Sequence, residues 1–167
     1  MRHAGYTLVE ILVVVVILAL AAAIVIAGLG STNDAQVTSA ARVLANDLEL
    51  VRNMTVTTQV PHGLVFSTDR RSYKVVANYA GQPYGSVTAV AHPVKAGERF
   101  EVTLASQAGM GSVSVTSVNF NGRTYVTFDP EGEPSYGGSV TLQAGTSGMI
   151  VSVSALTGRV TVTRAGN

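Results

Sequence analysis

One carboxylate stands where an apolar stretch should exclude it. Glu10 follows Leu8 and Val9 and precedes Ile11. An ionised acid at membrane depth costs roughly 2.5–3.5 kcal/mol or more. Two situations keep such a group: a helix end, where the N-terminal dipole favours it, or a partner cation brought beside it. Asp129, Glu131 and Glu133 form a second acidic group, on a Pro/Gly-rich loop. Three hard oxygen donors suit Ca²⁺ if they converge; the plainer alternative is a solvated turn capped by Asp129. Arg159 and Arg164 lie in an acid-free C-terminal stretch and are the candidate contacts for a polyanion. Strand alternation puts Arg159 and Thr161 on one face and Arg164 on the other.

Catalysis finds no support in the residue pattern. His62 and His92 sit beside Pro61 and Pro93 in turn-like contexts, with no acid or nucleophile nearby, and both are expected at the surface. Gly-x-Ser-x-Gly, phosphate-loop and HExxH patterns are absent. Gly109-Met110-Gly111 lacks the third glycine of a dinucleotide loop and reads as a turn. The chain has no Cys, which excludes disulfides, thiol nucleophiles and cysteine metal sites. The expectation is a non-enzyme without cofactor or metal. A net charge of +1 excludes a strongly cationic nucleic-acid binder on bulk charge.

The elements that must position these groups follow from where the apolar residues fall. Apolar residues are 47% of the 167 and charged residues 13%, about half the usual charged share, so the apolar excess is concentrated somewhere. It is at the N-terminus. Ile11 to Leu29 is nineteen residues without a charge or a Pro, about 28 Å as a helix against a hydrocarbon core of roughly 30 Å. A buried core helix of that length would show a polar stripe. Secretory signal cores run roughly 7–15 residues; the alternative stays open because Ala21-Ala22-Ala23 and Ala27 offer small residues for a cleavage site. Arg2 and His3 precede the run and the next basic residue is Arg42, so the positive-inside bias places the N-terminus in the cytoplasm and the remainder outside.

Beyond Leu29, Val37, Ala41, Leu44, Leu48 and Val51 step by 4, 3, 4 and 3, one apolar stripe of a helix that packs on a sheet. One helix is expected from about Tyr6 to about Thr55, with Gly28, Gly30, Ser31 and Asn33 softening its middle. From residue 58, short Val/Thr/Ser/Tyr/Phe runs alternate with Gly, Asn, Asp and Pro, which predicts an antiparallel sheet. The strand candidates are 64–67, 72–77, 100–104, 113–120, 124–128, 139–143, 150–154 and 160–164. Asn121-Gly122 marks a hairpin between 113–120 and 124–128.

Gly5-Tyr6-Thr7-Leu8-Val9-Glu10-Ile11-Leu12 resembles the class III signal of type IV prepilins and type II secretion pseudopilins, with Tyr6 in place of the usual Phe and Val9 in place of Ile. The resemblance implies that a prepilin peptidase cuts between Gly5 and Tyr6 and methylates the Tyr6 amine. It makes Glu10 the fifth mature residue, which in a filament meets the N-terminal amine of a neighbour. The implied partners are other pilin or pseudopilin subunits, the peptidase, an inner-membrane assembly platform, and membrane lipid before assembly. Phe128-Asp129-Pro130-Glu131-Gly132-Glu133-Pro134, Gly137 to Leu142 and Thr157-Gly158-Arg159-Val160 are similar to the GspH/FimT-type minor pseudopilin domain.

These resemblances imply a pilin-like α+β fold: a leader at 1–5, a transmembrane half-helix at 6–29, an amphipathic half-helix at 30–57, and a β-rich domain at 58–167. The place of the Pro found in many major pilins is taken by Ala27, which suggests the minor or pseudopilin type. The expected function is a minor structural subunit of a type II secretion pseudopilus or type IV pilus. The alternative is a DNA-binding minor pilin acting in uptake: some FimT-type relatives bind DNA through Gly-Arg-x-Arg, which here is Gly158-Arg159-Val160-Thr161. A third class is an exported β-domain on a plain membrane anchor.

Overall fold

The computed structural model describes residues 7–28 and 31–166, with side chains for 7–21 and 32–166. Gly5 and Tyr6, the expected cleavage pair, lie outside the described residues. The chain divides into two compact units at Thr32/Asn33.

In the first unit, helix α1 spans Leu8–Gly28. Thr7 starts it: its carbonyl accepts from the N–H groups of Glu10 and Ile11 at 3.1 and 3.2 Å, and its hydroxyl accepts from Glu10 N–H at 3.3 Å. That is the N-cap geometry that satisfies an orphan donor of the first turn. Among the described residues no helix is long and apolar enough to cross a membrane. The described side chains of α1 end at Ala21, which covers about 21 Å of helix.

Helix α2 spans Ser31–Thr58, three residues beyond the expected end. The junction within the expected single helix, Leu29 and Gly30, lies outside the described residues. The apolar stripe of α2 behaves as its spacing predicts. Val37, Ala41, Leu44, Leu48 and Val51 are all fully buried, together with Ala40. They share one core with apolar side chains of the strands described next; the fourth and the last strands contribute Val115, Val118, Val160 and Val162, which pack against it half-buried.

The strands are β1 His62–Phe66, β2 Ser72–Ala77, β3 Glu101–Thr103, β4 Ser114–Asn119, β5 Tyr125–Phe128, β6 Gly138–Ala144, β7 Ser147–Val153 and β8 Val160–Arg164. They form two antiparallel sheets instead of the expected one, ordered β3-β2-β1-β5 and β4-β6-β7-β8. In the first, Leu64 stands opposite Val75 and Val126. In the second, Val151 stands opposite Val140 and Val162.

The Asn121-Gly122 turn forms, with φ of +53° and +78° as a two-residue hairpin turn requires. The hairpin itself does not. After the single Phe120–Arg123 bridge, β4 enters one sheet and β5 the other. Turn chemistry sets a reversal of direction, but the partners of the two strands are chosen by the apolar faces they bury.

The first sheet is covered on its outer face by the chain between β2 and β3. Tyr79 packs edge-on against Tyr125, ring centroids 4.8 Å apart. A Cβ at Gly63 would come within 2.9 Å of Thr127 and 3.3 Å of Tyr79, so the glycine makes room for that contact. Tyr84 donates to Glu101 at 2.9 Å and contacts Ser72 Oγ at 3.0 Å. Lys74 lies 4.0 Å above the Tyr84 ring and donates to the Val87 carbonyl at 3.2 Å, which makes its 8% exposure affordable. Burial pushes the Tyr84 hydroxyl up to about 12, so it remains a donor throughout the physiological range. This cover explains why β1 is buried at every position, where a one-sided strand would alternate.

His62 is a correction: it is 5% exposed, not on the surface. Strand β1 is interior to its sheet, so His62 stands between Ala77 and Phe128. Its Nδ1 donates to the Val60 carbonyl at 2.7 Å. His92 is half-buried, stacked on Phe100 at 4.4 Å.

Because the α2 stripe is fully buried, Leu44→Asp or Leu48→Asp should cost about 3–5 kcal/mol by burying an unpaired charge. Urea unfolding of the purified chain measures it. Unchanged midpoints in both variants would show that the stripe does not hold the core.

Candidate functional site

Two surfaces bear on function: α1, and the far side of α2 with the loops fastened to it. On α1, the side chains of Leu8, Val9, Ile11 to Leu18 and Leu20 are exposed all round the helix, from 48% to 82%. Among the described side chains of the first unit, none gives this surface a buried face. Glu10 is exposed among them, at the third position after the Thr7 cap. Thr7 is the helix-starting residue that the spacing argument missed: Thr-x-x-Glu is a capping-box pattern, and Thr7 places Glu10 in the first turn.

On α2, polar side chains tie down the loops of the β-domain. Gln36 Oε1 accepts from the Ser112 hydroxyl at 2.6 Å and from its N–H at 3.3 Å. Glu49 Oε1 accepts from Val160 N–H, the first residue of β8, at 3.4 Å. Arg52 Nε donates to the Gly132 carbonyl at 3.0 Å, and a Cβ at Gly158 would lie 2.8 Å from that same carbonyl and 3.3 Å from Nε. Both glycines also have positive φ, +82° and +64°. The two C-terminal motifs thus converge on one arginine of the helix. A lone Arg on the polar side of a helix gives no sign of this in sequence; the glycines that must make room for it do.

The acidic loop is a closed turn. Asp129 Oδ1 accepts from Glu133 N–H at 2.8 Å, and Gly132 N–H donates to the Asp129 carbonyl at 2.8 Å. Among the described residues no three acidic or histidine side chains group to hold a metal ion. Arg164 is paired with Asp34 of α2 and lies on the same face of β8 as Val160 and Val162, by its register with Met149. Arg159 precedes β8, exposed, on the opposite side by alternation. The two arginines are not brought together, and one is already neutralised.

Asp47 is a half-buried polar contact of the helix with the first sheet, accepting from the Tyr73 hydroxyl. Burial pushes its carboxyl above the ordinary 3.8, while the Tyr73 O–H, His92 and Lys95 pull it down. Burial and the Asp47 charge hold the Tyr73 hydroxyl well above its usual range.

Residues 40–165 match the family described as type II transport protein GspH, and residues 1–26 match the prokaryotic N-terminal methylation motif. No curated protein sequence matches the chain. Among solved structures, the minor pseudopilin EpsH of the Vibrio cholerae type 2 secretion system is similar with a TM-score of 0.58 at 10% identity, over 79% of this chain and 99% of that one. The type IV minor pilin FimU of Pseudomonas aeruginosa is similar with a TM-score of 0.55 at 16% identity, over 76% of this chain and 87% of that one. At such identities the likeness is one of fold.

The Asp47 geometry sets a pH dependence. A carboxyl raised in the folded state binds its proton more tightly there than in the unfolded chain, so its contribution to stability falls as pH rises from about 3.8 through the folded value. Asp47→Asn retains an acceptor for Tyr73 and removes the titration. Its stability relative to the parent chain should therefore improve between about pH 3.5 and about pH 7. A difference in urea midpoint that does not change with pH would contradict this.

Proposed function

The chain belongs to the GspH family of type II transport proteins, and on that premise we propose that it is a minor structural subunit of a type II secretion pseudopilus or type IV pilus. In this reading it is cut between Gly5 and Tyr6 by a prepilin peptidase, methylated at the Tyr6 amine, and assembled through its N-terminal helix.

The observation that carries the proposal is the apolar surface of α1, exposed all round. A helix apolar on every side needs an apolar surrounding. Before assembly that surrounding is lipid. The uncharged run of the sequence, Ile11 to Leu29, would rise about 28 Å as a helix, near the thickness of a hydrocarbon core. Arg2 and His3 hold the N-terminus on the cytoplasmic side, and the domain that follows lies outside. After assembly the surrounding is the helices of other subunits, reached through an inner-membrane platform.

Glu10 gives the transfer a direction. Lipid offers its carboxylate no cation, whereas a neighbouring subunit brings the Tyr6 amine. Each charge then compensates the other in a low-dielectric surrounding and fixes the register between helices. The Thr7 cap holds Glu10 in the first turn, close to the terminus where such an amine arrives.

Glu10→Ala should leave synthesis, cleavage and membrane anchoring intact and reduce incorporation into the filament. Glu10→Gln keeps the size and loses the charge, so it separates pairing from packing. Complementation with cross-linking to neighbours reads incorporation, and N-terminal mass spectrometry on membrane-extracted protein reads processing. Wild-type assembly of both variants would remove Glu10 from the mechanism. A mature chain beginning near Gly28, or an uncut Met1, would remove the processing.

A further inference from the structure

Between the segment that covers the first sheet and strand β3, the chain makes a loop whose tip is held by one side chain. The base of the loop is the Ala91–Arg99 bridge. There His92 N–H donates to the Glu98 carbonyl at 2.9 Å, and Phe100 N–H donates to the Val90 carbonyl at 2.8 Å. At the tip, His92 Nδ1 accepts from the N–H groups of both Val94 and Lys95, at 3.1 and 3.2 Å. The imidazole lies on Phe100, centroids 4.4 Å apart, and Phe100 is fully buried.

This geometry fixes the form of the ring. Two donors point at Nδ1, so Nδ1 carries a lone pair and the proton of the neutral imidazole is on Nε2. An imidazolium is a donor at both nitrogens and accepts at neither. The turn at 92–95 therefore exists in this form with a neutral ring alone. Protonation sets a ring N–H against two backbone N–H groups and leaves both without their acceptor.

The surrounding charges set where this change falls on the pH scale, not whether it occurs. From α2, the Asp47 carboxyl is pulled down by His92 and Lys95, and by the same attraction it favours the imidazolium. The Tyr73 hydroxyl of β2 donates to Asp47 and stays protonated, since burial and the Asp47 charge hold it well above its usual range. Within the loop, Lys95 opposes the imidazolium. Glu98 pairs with Lys95 at 3.9 Å, both side chains exposed, and offsets part of that opposition. Arg99, at the base, donates to the Ala89 carbonyl at 3.1 Å.

We propose that His92 is an acid-sensitive latch on the 91–99 loop: neutral, it holds the tip closed; protonated, it releases Val94 and Lys95 while the base stays in place. The closed form binds the proton less tightly than the open form. Closure is therefore complete at the alkaline end of the range in which imidazoles titrate, about pH 5 to 8, and is lost as pH falls through it. Every group involved belongs to the second unit, so the latch stands apart from processing at Tyr6 and pairing at Glu10.

The chain has no Cys, so a nitroxide on Val94→Cys, whose side chain is 77% exposed, reports the tip in the full-length chain held in detergent micelles. Between pH 8 and pH 5 its electron paramagnetic resonance spectrum is expected to pass from immobilised to mobile, the ratio of the two components falling about tenfold. A nitroxide on Ser86→Cys, in the neighbouring covering segment, stays unchanged, which separates release of the tip from loosening of the domain. His92→Asn in the Val94→Cys chain offers an acceptor that does not titrate, and its spectrum is the same at both pH values. Asp47→Asn keeps the transition and moves it to lower pH, because a charge that favours the imidazolium is gone. A tip label indifferent to pH, a His92→Asn chain that responds as its parent does, or a Ser86 label that changes in parallel would overturn the proposal. Loss of the transition in Asp47→Asn would overturn it as well, by assigning the titration to the carboxyl.

Discussion

Val37, Ala41, Leu44, Leu48 and Val51 lie along one side of α2, and each is fully buried. Two four-stranded sheets share this one helix as a common wall of their core. Phe66 and Tyr73 approach it from the first sheet, their rings 5.5 Å apart; Val140, Leu142 and Val151 approach it from the second. Area-proportional burial supplies the driving force, but it is non-directional and would tolerate rotation of the helix on the sheets. Rotation is prevented by the polar side chains at the margin of the stripe. Asp34 holds Arg164 of β8, Gln36 holds Ser112, Asp47 holds Tyr73, Glu49 holds the start of β8, and Arg52 holds the loop at Gly132. These five contacts reach four different segments of the β-domain, β8 at both of its ends, so one helix fixes the relative positions of all of them.

Much of this was legible in the residues. The 4, 3, 4, 3 spacing identified the buried stripe because helical periodicity reports burial directly. The alternating runs identified the strands to within a few residues. Three features were not legible, for separate physical reasons. The hairpin expected at Asn121-Gly122 became a turn between sheets, because a type of turn does not specify which strands pair beyond it. His62 was expected at the surface from its Pro neighbour, but its strand is interior to the sheet and is covered again by the 78–90 segment, a long-range arrangement without local signature. Arg52 looked like any solvated helix residue, and its contact with Gly132 is made across 80 positions of sequence. The capping role of Thr7, in contrast, was present in the Thr-x-x-Glu pattern and is a local effect. The glycines of the two C-terminal motifs leave the space that Arg52 of the helix and the Gly132 carbonyl require.

The two helices are built on opposite rules. α2 has one apolar stripe and a polar margin, so its own chain completes it. α1 has apolar side chains all round among its described residues and one acid in its first turn, so in the proposed reading its completion comes from lipid or other subunits. The account of this protein as a filament subunit rests on that contrast: a β-domain finished by one helix, carried by another that is not finished until it is surrounded.

That claim is tested most directly by asking what surrounds α1 in the cell. A photo-reactive amino acid at Val15, in the middle of the exposed apolar surface, reports the nearest neighbour as a covalent adduct. With the assembly system complete, the account predicts adducts between Val15 and the N-terminal helix of another pilin-type subunit. With assembly blocked, it predicts adducts with lipid. Lipid adducts alone under both conditions would contradict it, and would leave α1 as a plain membrane anchor.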